Sequence, residues 1–359
     1  VLSKIMGEDS GADTLRGKGG TIAKQRLPTL QTVADAAGVH RSTAARALND
    51  DTRALISPAV VQRIVIEAER LGYRRDVLAS SLRSGRSRLI GVVFPDIDNP
   101  MFGQILTGIT EVVTAKGYSV LVSNAASDSV LQSKAVAGLI ARRADGLILA
   151  TSTRDDPVVA ECLLSGIPTV LVNRSEDVHR TPTVVPDDMS GMALAVRHLV
   201  SLGHTQIGHL AGPQATSTGH LRELGFRSAM LAAGLSSDAV IRASSYSRSA
   251  GQNATRDLLN AHAVTAIAAS NDLLALGAYL CLKEMGLRCP SDISIIGHND
   301  MPLVDMIDPP MTTVRIGQVE LGREAGDAVL KVLAGMASPT HVMMPSSLVV
   351  RQSTAPPQA

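Results

Sequence analysis

Hydrophobic positions along this chain follow two different periods. Between Pro28 and Leu82 they recur at helical spacing, with Leu30, Val33, Ala34 and Ala37 on one face of a first helix that Thr29 can cap. Gly38 supplies a tight turn. A second helix over about residues 41–48 then turns Ala44, Ala47 and Leu48 inward and leaves Arg41, Ser42 and Arg46 pointing out. A third helix is punctuated by Ser57 as N-cap, Pro58 at its first position and Gly72 after Leu71, with Val60, Ile64, Ala68 and Leu71 as its buried stripe. Arginines and short polar side chains at the start of a second helix suit a DNA major groove, where base edges offer acceptors and phosphates flank them. A three-helix bundle with no nucleic-acid role is the alternative reading of the same periodicity.

From Leu89 onward, short β-branched runs alternate with amphipathic stretches. The expected strands are LIGVVFP, YSVLVSNA, GLILAT, PTVLVN, IGHLAG, AIAAS and SIIGH. Helical stretches are expected at about residues 102–116, 130–142, 156–165, 191–202, 221–233, 250–260 and 273–285. Apolar runs with helices on both sides imply parallel strands buried on two faces, an α/β body of doubly wound sheets. The units are too many for one comfortable sheet and imply two similar lobes. Ligands of such sheets bind beyond the carboxyl ends of the strands, which points to the loops after Phe94, Val172, Leu210, Ala269 and Ile296.

The pattern divides the chain into residues 28–73 as a helical domain, 74–88 as a connecting segment and 89–354 as the α/β body. Within RRDVLASSLRSGRSR, residues 74–88, Val77, Leu78, Ser81 and Leu82 make one or two helical turns, too few to be stable alone. That segment is expected to fold only against DNA, against its counterpart in a second subunit, or against both. Residues 1–27 are rich in Gly, Lys and Asp without periodicity and read as a flexible tail, with ordering on DNA as the alternative.

Charge sharpens the division. Residues 28–88 carry ten arginines, no lysine and six acidic residues, a net +4, whereas residues 89–359 carry 19 basic and 24 acidic residues, a net −5. The whole-chain value of +1 hides this split. A basic end on an acidic body is the electrostatic footprint of a phosphate-binding module joined to something else. With 45% apolar and 19% charged residues, most of the chain is expected to be globular.

The remaining chemistry is mostly exclusion. Apolar runs are broken too often for a transmembrane helix, and the N-terminus has no apolar stretch of signal-peptide length, so a cytoplasmic protein is expected. Cys162, Cys281 and Cys289 are scattered and lack CxxC spacing, which argues for a reducing compartment and against disulfides or metal. His198, His204 and His209 lack the spacing of a metal site, so solvated or capping roles are expected for them. No GxSxG, Walker A or HExxH pattern occurs, and no cofactor is expected.

Read together, the ordered motifs closely resemble the lactose-repressor/galactose-repressor (LacI-type) family of bacterial transcription regulators, whose members begin T-L-x-D-V-A-x-x-A-G-V-S-x-x-T-V-S-R-x-L-N. Thr29-Leu30, Val33-Ala34, Ala37-Gly38-Val39, Thr43, Arg46 and Leu48-Asn49 stand in those places. The resemblance runs through Leu71-Gly72-Tyr73, Ala79, Leu82 and Arg86-Ser87 into IGVVFPDIDNPMF, and returns at GHTQIGHLAGP, RELGF, SNDLLALGA and DPPMTTVR. It covers residues 28–351. It implies a helix-turn-helix head, a hinge helix and a periplasmic-binding-protein type I body, two lobes joined by crossing strands with the ligand between them. It also implies a homodimer, or dimer of dimers, on a pseudo-palindromic operator in double-stranded DNA.

Carried over by position, the DNA contacts would be His40, Arg41, Ser42 and Arg46, with Thr29, Thr43 and Asn49 positioning the backbone. Ala79 and Leu82 fall in the hinge helix, where Leu82 matches the leucine that wedges into the minor groove. For Arg41 and Arg46 a guanine edge and a phosphate remain equal alternatives. Departures are His40 for the usual Ser, Ala44-Ala45 for Val-Ser, and Arg75-Asp76 for Pro-Asn. The effector contacts would be Met101, Phe102, Arg174, Asp187, Thr218, Arg222, Tyr246, Asn271 and Asn299. Arg222 offers a fork of donors to a carboxylate or a pair of hydroxyls, with an interlobe salt bridge to Asp187 as the alternative. Asn271 and Asp272 open a helix, and Asp272 is expected to cap it.

Two features constrain the ligand. The chain has no Trp and only four Tyr and three Phe, leaving little surface for stacking a purine. Where relatives write G-F-D-D this chain has Gly297-His298-Asn299-Asp300, so the cleft should be more positive. A small polar effector is expected: a sugar, a sugar acid or a sugar phosphate. Rival readings of the same body are a sugar-binding protein of transport, which would need export, and an α/β enzyme, which would need a nucleophile or an acid/base pair in the cleft.

Overall fold

The computed structural model describes residues 28–73, 86–126, 128–337 and 341–358. They belong to two compact units, the first holding residues 28–73 and the second everything from residue 86 onward. Ala79 and Leu82 lie outside the described residues.

The first unit contains α1 (Leu30–Ala36), α2 (Arg41–Ala47), α3 (Asp50–Arg53) and α4 (Pro58–Arg70). Thr29 caps α1 as expected, in a reciprocal arrangement. Thr32 N donates to Thr29 Oγ1 and Thr29 N to Thr32 Oγ1, both at 3.3 Å. Gly38 takes φ +62°, the left-handed conformation that lets the chain turn sharply into α2. Val33, Ala34, Ala37, Ala44, Ala47, Ile64 and Ala68 close the core, so three helices share a centre made largely of alanine. Val60 and Leu71 are only partly buried. Ser57 holds the N-cap position of α4 but its side chain makes no capping bond. The four-residue α3 was not expected, since one turn shows no periodicity; Thr52 Oγ1 ties it to Arg46 O at 3.1 Å.

The second unit has two lobes built alike. The first holds β1 (Leu89–Phe94), β2 (Ser119–Asn124), β3 (Gly146–Leu149), β4 (Thr169–Val172), β5 (Thr183–Pro186) and β11 (His341–Met344), in the order β2-β1-β3-β4-β5-β11, all parallel. Helices α5 (Pro100–Ala115) and α12 (Gln318–Leu333) pack on one face, and α6 (Ser129–Ala141) and α7 (Pro157–Leu164) on the other. The second holds β6 (Ile207–Ala211), β7 (Val240–Arg242), β8 (Ala266–Ala269), β9 (Ser294–Asn299), β10 (Thr312–Arg315) and β12 (Ser347–Val349), in the order β7-β6-β8-β9-β10-β12. Only the β10–β12 pair is antiparallel. Helices α8 (Asp188–Ser201) and α9 (Ser217–Ala232) cover one face of this sheet, and α10 (Arg248–Ala261) and α11 (Asp272–Glu284) the other.

Burial follows the expected logic: every residue of β3, β4, β6, β8 and β9 is buried, as parallel strands sandwiched between helices must be. Residues 86–88, assigned above to the connecting segment, belong to the body. Asp145 Oδ1 accepts from Ser87 N and its Oδ2 from Arg88 N, both at 2.9 Å. The C-terminal edge likewise extends past residue 354, where Ala355 N donates to Ser294 Oγ at 3.0 Å.

The chain crosses between lobes three times: from β5 to α8, from β10 to α12, and from β11 to β12. The first and third crossings are tied to each other, with Asp187 N donating to Met344 O at 2.8 Å and Ser346 Oγ to Asp187 O at 3.3 Å. Further bridges between lobes run from Arg154 N to Ala215 O and from Ser175 N to Ser217 Oγ, each 2.9 Å.

Candidate functional site

In each sheet the strand order reverses beside the first strand, between β1 and β3 and between β6 and β8, and a parallel sheet opens a crevice at that point. The two crevices face each other across one cleft of about 450 Å³. The first lobe contributes residues after β1 (Asp96, Asn99), after β2 (Asn124), after β3 (Thr151) and after β4 (Asn173, Arg174). The second contributes Thr218, Arg222, Tyr246, Asn271 and Asn299, among others. Of the nine residues carried over to an effector site, eight line this cleft: Met101, Phe102, Arg174, Thr218, Arg222, Tyr246, Asn271 and Asn299.

Asp187 does not line it. Its side chain caps α8, accepting from Ser190 N at 2.9 Å, and it lines a second cavity. The alternative reading of Arg222, a bridge to Asp187, gives way to a pair one residue on. Arg222 Nε donates to Asp188 Oδ1 at 2.7 Å and its Nη1 to Ser270 O at 2.6 Å, with both charged side chains only 2% exposed. The pair lies within the second lobe because Asp188 already belongs to α8. Burial raises the Asp188 carboxyl above its ordinary value, and the guanidinium opposes that shift.

Helix starts position much of the remaining chemistry. Asn99 caps α5 through Met101 N at 3.2 Å, which sets Met101 and Phe102 in the first turn beneath the cleft. Thr216 caps α9 through Gly219 N at 3.2 Å and places Thr218 one turn from Arg222. The Tyr246 hydroxyl donates to Thr218 Oγ1 at 3.1 Å, and its ring fills the space beside Gly212, where a Cβ would fall 2.2 Å from the hydroxyl oxygen.

Asn271, not Asp272, caps α11, with its Oδ1 accepting from Leu274 N at 2.8 Å. Asp272 instead accepts from Met301 N at 2.8 Å and Thr313 Oγ1 at 2.6 Å, pinning the end of β9. Burial pushes its carboxyl up to about 6 despite those two donors. Asn299 adopts φ +120° and Asp300 +55°, a strained strand end held by the same Asp272 contacts and by Arg315 and Arg351 on Asp300, at 2.7 and 2.8 Å.

Three buried polar atoms on the first lobe's wall have no hydrogen-bond partner: Thr151 Oγ1, Asn173 Oδ1 and Arg174 Nε. Thr151 and Asn173 were missed in the sequence. Asn173 adjoins a loop already singled out, whereas nothing in the pattern marked the end of β3. The positive character expected of the cleft resolves into one compensated cation, Arg222, and one uncompensated, Arg174.

The histidines differ from expectation. His204 is buried with Nδ1 2.8 Å from Thr265 Oγ1 and Nε2 2.8 Å from Ala355 O, and His198 Nε2 is 2.9 Å from Thr354 Oγ1. His209, fully buried, stacks on Phe226 at 4.7 Å and bonds Ala268 O at 2.7 Å. His204 and His209 are therefore buried rather than solvated, whereas His198 is partly exposed. Periodicity shows that a strand is buried but not which polar residue its neighbours can satisfy. Among the described residues no group of three His, Cys, Asp or Glu side chains is placed to hold a metal.

In the first unit, α2 exposes Arg41, Ser42 and Arg46 together, with Thr43 half-buried between them. His40 is the N-cap of α2: its Nδ1 accepts from Ser42 N at 3.3 Å and lies 2.8 Å from Ser42 Oγ. Asn49 stands at the N-cap position of α3. Thr29, as the α1 cap, completes the described set. The front of α2 is thus a short cationic surface on a rigid helix pair, suited to a groove lined by phosphates.

A helix-turn-helix head joined to a two-lobed body with a polar cleft defines a class, the ligand-binding transcription regulators. Comparison with known proteins gives the family. Residues 87–352 match the family described as periplasmic binding proteins and sugar binding domain of LacI family. The HTH-type transcriptional regulator DegA of Bacillus subtilis (strain 168) is 32% identical over 333 residues, 91% of this chain and 98% of that protein. Among solved structures, the Lac repressor dimer bound to operator and the anti-inducer ONPF superimposes with a TM-score of 0.81 at 30% identity, over 92% of this chain and 100% of that one. The complex of the transcriptional regulator CelR with cellobiose gives 0.70 at 28% identity, over 91% and 99%. The chain belongs to the LacI family and is a DNA-binding transcription regulator with the periplasmic-binding-protein type I fold.

Proposed function

We propose that this regulator is a repressor acting as a homodimer, or dimer of dimers, on a pseudo-palindromic operator, and that its cleft takes a small polar effector: a sugar, sugar acid or sugar phosphate. The observation that carries the effector reading is the cleft itself, where unpartnered Thr151, Asn173 and Arg174 atoms of one lobe oppose Thr218, Tyr246 and Asn271 of the other. Groups left without partners in a buried wall are costly unless a ligand completes them. The similarity to a Lac repressor dimer on operator and to a cellobiose complex supports the same reading.

Arg41, Ser42 and Arg46 face the major groove, His40 holds the front of α2, Thr29, Thr43 and Asn49 position the DNA backbone, and Ala79 and Leu82 act in the hinge. The target places the protein in the cytoplasm, and no described helix is long and apolar enough to cross a membrane. The cleft residues hold and orient a ligand without a reaction to perform; Tyr246 bonds Thr218, and Arg222 is committed to Asp188.

Regulation needs no covalent step. A ligand that prefers one arrangement of the lobes acts on the three crossing segments and shifts the population able to hold DNA, with a coupling of about 1–3 kcal/mol. The test is titration of operator-bound protein with a panel of sugars, sugar acids and sugar phosphates. At least one compound should change operator affinity by about tenfold, corresponding to about 1.4 kcal/mol of coupling. Tyr246→Ala and Asn271→Ala should remove the response while the protein still binds operator. A response that survives both substitutions, or tight binding of an uncharged nucleobase with none by the panel, would overturn the effector reading.

A further inference from the structure

Arg174 carries a buried charge that the protein does not itself neutralise. It follows Asn173, whose φ of +66°, together with a 2.8 Å bond from Arg174 N to Val172 O, folds the chain into a three-residue turn at the end of β4. That turn sets Arg174 in the cleft wall, where it is only 6% exposed. Its Nε has no hydrogen-bond partner, and the side chain forms no ion pair among the described residues.

Burial is what most disfavours its charge and Arg222 adds repulsion, while the Tyr246 phenol is uncharged at physiological pH. Carboxylates nearby are committed elsewhere: Asp188 to Arg222, and Asp272 to Met301 N and Thr313. Asp96 lines the same cleft and accepts from Asp98 N at 3.0 Å, but it is not among the groups acting on Arg174. Across the cleft, Asn271 and Asn299 are neutral amides. A guanidinium remains protonated at any physiological pH, so burial cannot discharge it as it would a lysine. Buried charges in proteins are paired, and this one lacks its partner.

Resting on the effector reading above, we propose that the effector is an anion. It is a polyhydroxylated compound whose carboxylate or phosphate accepts from Arg174 and whose hydroxyls pair with Asn173 Oδ1 and Thr151 Oγ1. The fork of a guanidinium suits both acid groups, since each offers two oxygens at matching spacing. Of the two unpartnered neighbours, the Asn173 amide oxygen requires a donor on the ligand, and the Thr151 hydroxyl can either donate to it or accept from it.

The test is calorimetry on the full chain with D-glucose, D-gluconate, D-glucuronate and D-glucose 6-phosphate at constant ionic strength. At least one acid or phosphate should bind about tenfold or more tighter than glucose, and its identity separates the carboxylate from the phosphate source. Arg174→Met should abolish that preference, and Arg174→Lys should retain part of it by keeping the charge without the fork. Ligand-free Arg174→Met should melt no lower than the unsubstituted protein, because an unpaired buried charge has been removed.

Glucose binding as tight as every anion and indifferent to Arg174→Met would overturn the anion proposal. The cleft reading would then still stand, provided Tyr246→Ala removed the binding. Anion binding indifferent to both substitutions would overturn both. Silence from all three anions overturns the proposal.

Discussion

Arg222 and Asp188 show what a buried charge demands of its surroundings. The guanidinium reaches the cleft while its Nε and Nη1 are spent on Asp188 and on Ser270 O. Removing it leaves a carboxylate buried and alone, so Arg222→Met should cost about 3–5 kcal/mol in urea unfolding, far more than truncating an exposed arginine. The sequence singled out Arg222 through its RELGF motif as a cleft residue, and offered Asp187 rather than Asp188 as the alternative partner. Only the position at which β5 ends and α8 begins decides whether residue 187 or residue 188 faces it, and such boundaries leave little trace in periodicity. Asp272 was misread similarly: Asn or Asp can cap a helix, and the contacts of Met301 and Thr313 that claim the aspartate come from distant segments.

Asp272 also makes a prediction about pH. Burial raises its carboxyl from the ordinary 3.8 to about 6, so the folded state holds its proton more tightly than the unfolded chain does. The associated stability is fully present below pH 4 and is lost as pH rises through 6, about 3 kcal/mol in all. Compared with Asp272→Asn, the unsubstituted protein should therefore lose that amount between pH 4 and pH 7, measured as the difference between two urea-unfolding series. A constant difference across the range would refute the assignment.

At the level of elements, close approach of helices explains what composition obscured. Helices α5 and α12 pack so tightly that a Cβ on Gly108 would meet Val319 O at 2.0 Å, and one on Gly322 would meet Ile105 O at 2.1 Å. Gly322→Ala must push two backbones apart and should lower stability by about 1–3 kcal/mol, seen as a fall in Tm with binding specificity retained. Gly322 and Gly326 hid α12 from the sequence pattern, because glycine inside a helical run reads as a breaker and the buried stripe is mostly small residues. Strands β5, β7, β10, β11 and β12, each of three or four residues, also escaped notice; β7, β11 and β12 lie at sheet edges, are partly exposed and carry no continuous apolar run. By contrast, the seven strands expected from β-branched runs are all present, most of them buried on both faces, although β2 is only partly buried.

Arg41 sits at the N-terminus of an exposed helix front beside Ser42, and Arg46 lies one turn further on. Arg41→Ala should weaken operator binding by about 1–3 kcal/mol and relax the preference at one position of the half-site if it reads a base. A uniform loss across sequences, with a shallower salt dependence, would assign it to phosphate instead.

For the molecule as a whole, a basic helical head and an acidic two-lobed body divide the work between DNA and ligand. Three crossings, two of them joined through Asp187, Met344 and Ser346, make the relation of the lobes a feature that a cleft ligand can bias. The division was legible in charge and periodicity alone. The side chains that give the cleft its character were legible only in part, since a satisfied arginine and an orphaned one look identical in a sequence. The most direct test is capture of genomic DNA fragments by the purified full chain, followed by sequencing of what is retained. Enrichment of a pseudo-palindrome with half-sites about one helical turn apart is the predicted result. No enrichment at low salt, with or without cell extract to supply the effector, would contradict an operator-binding regulator.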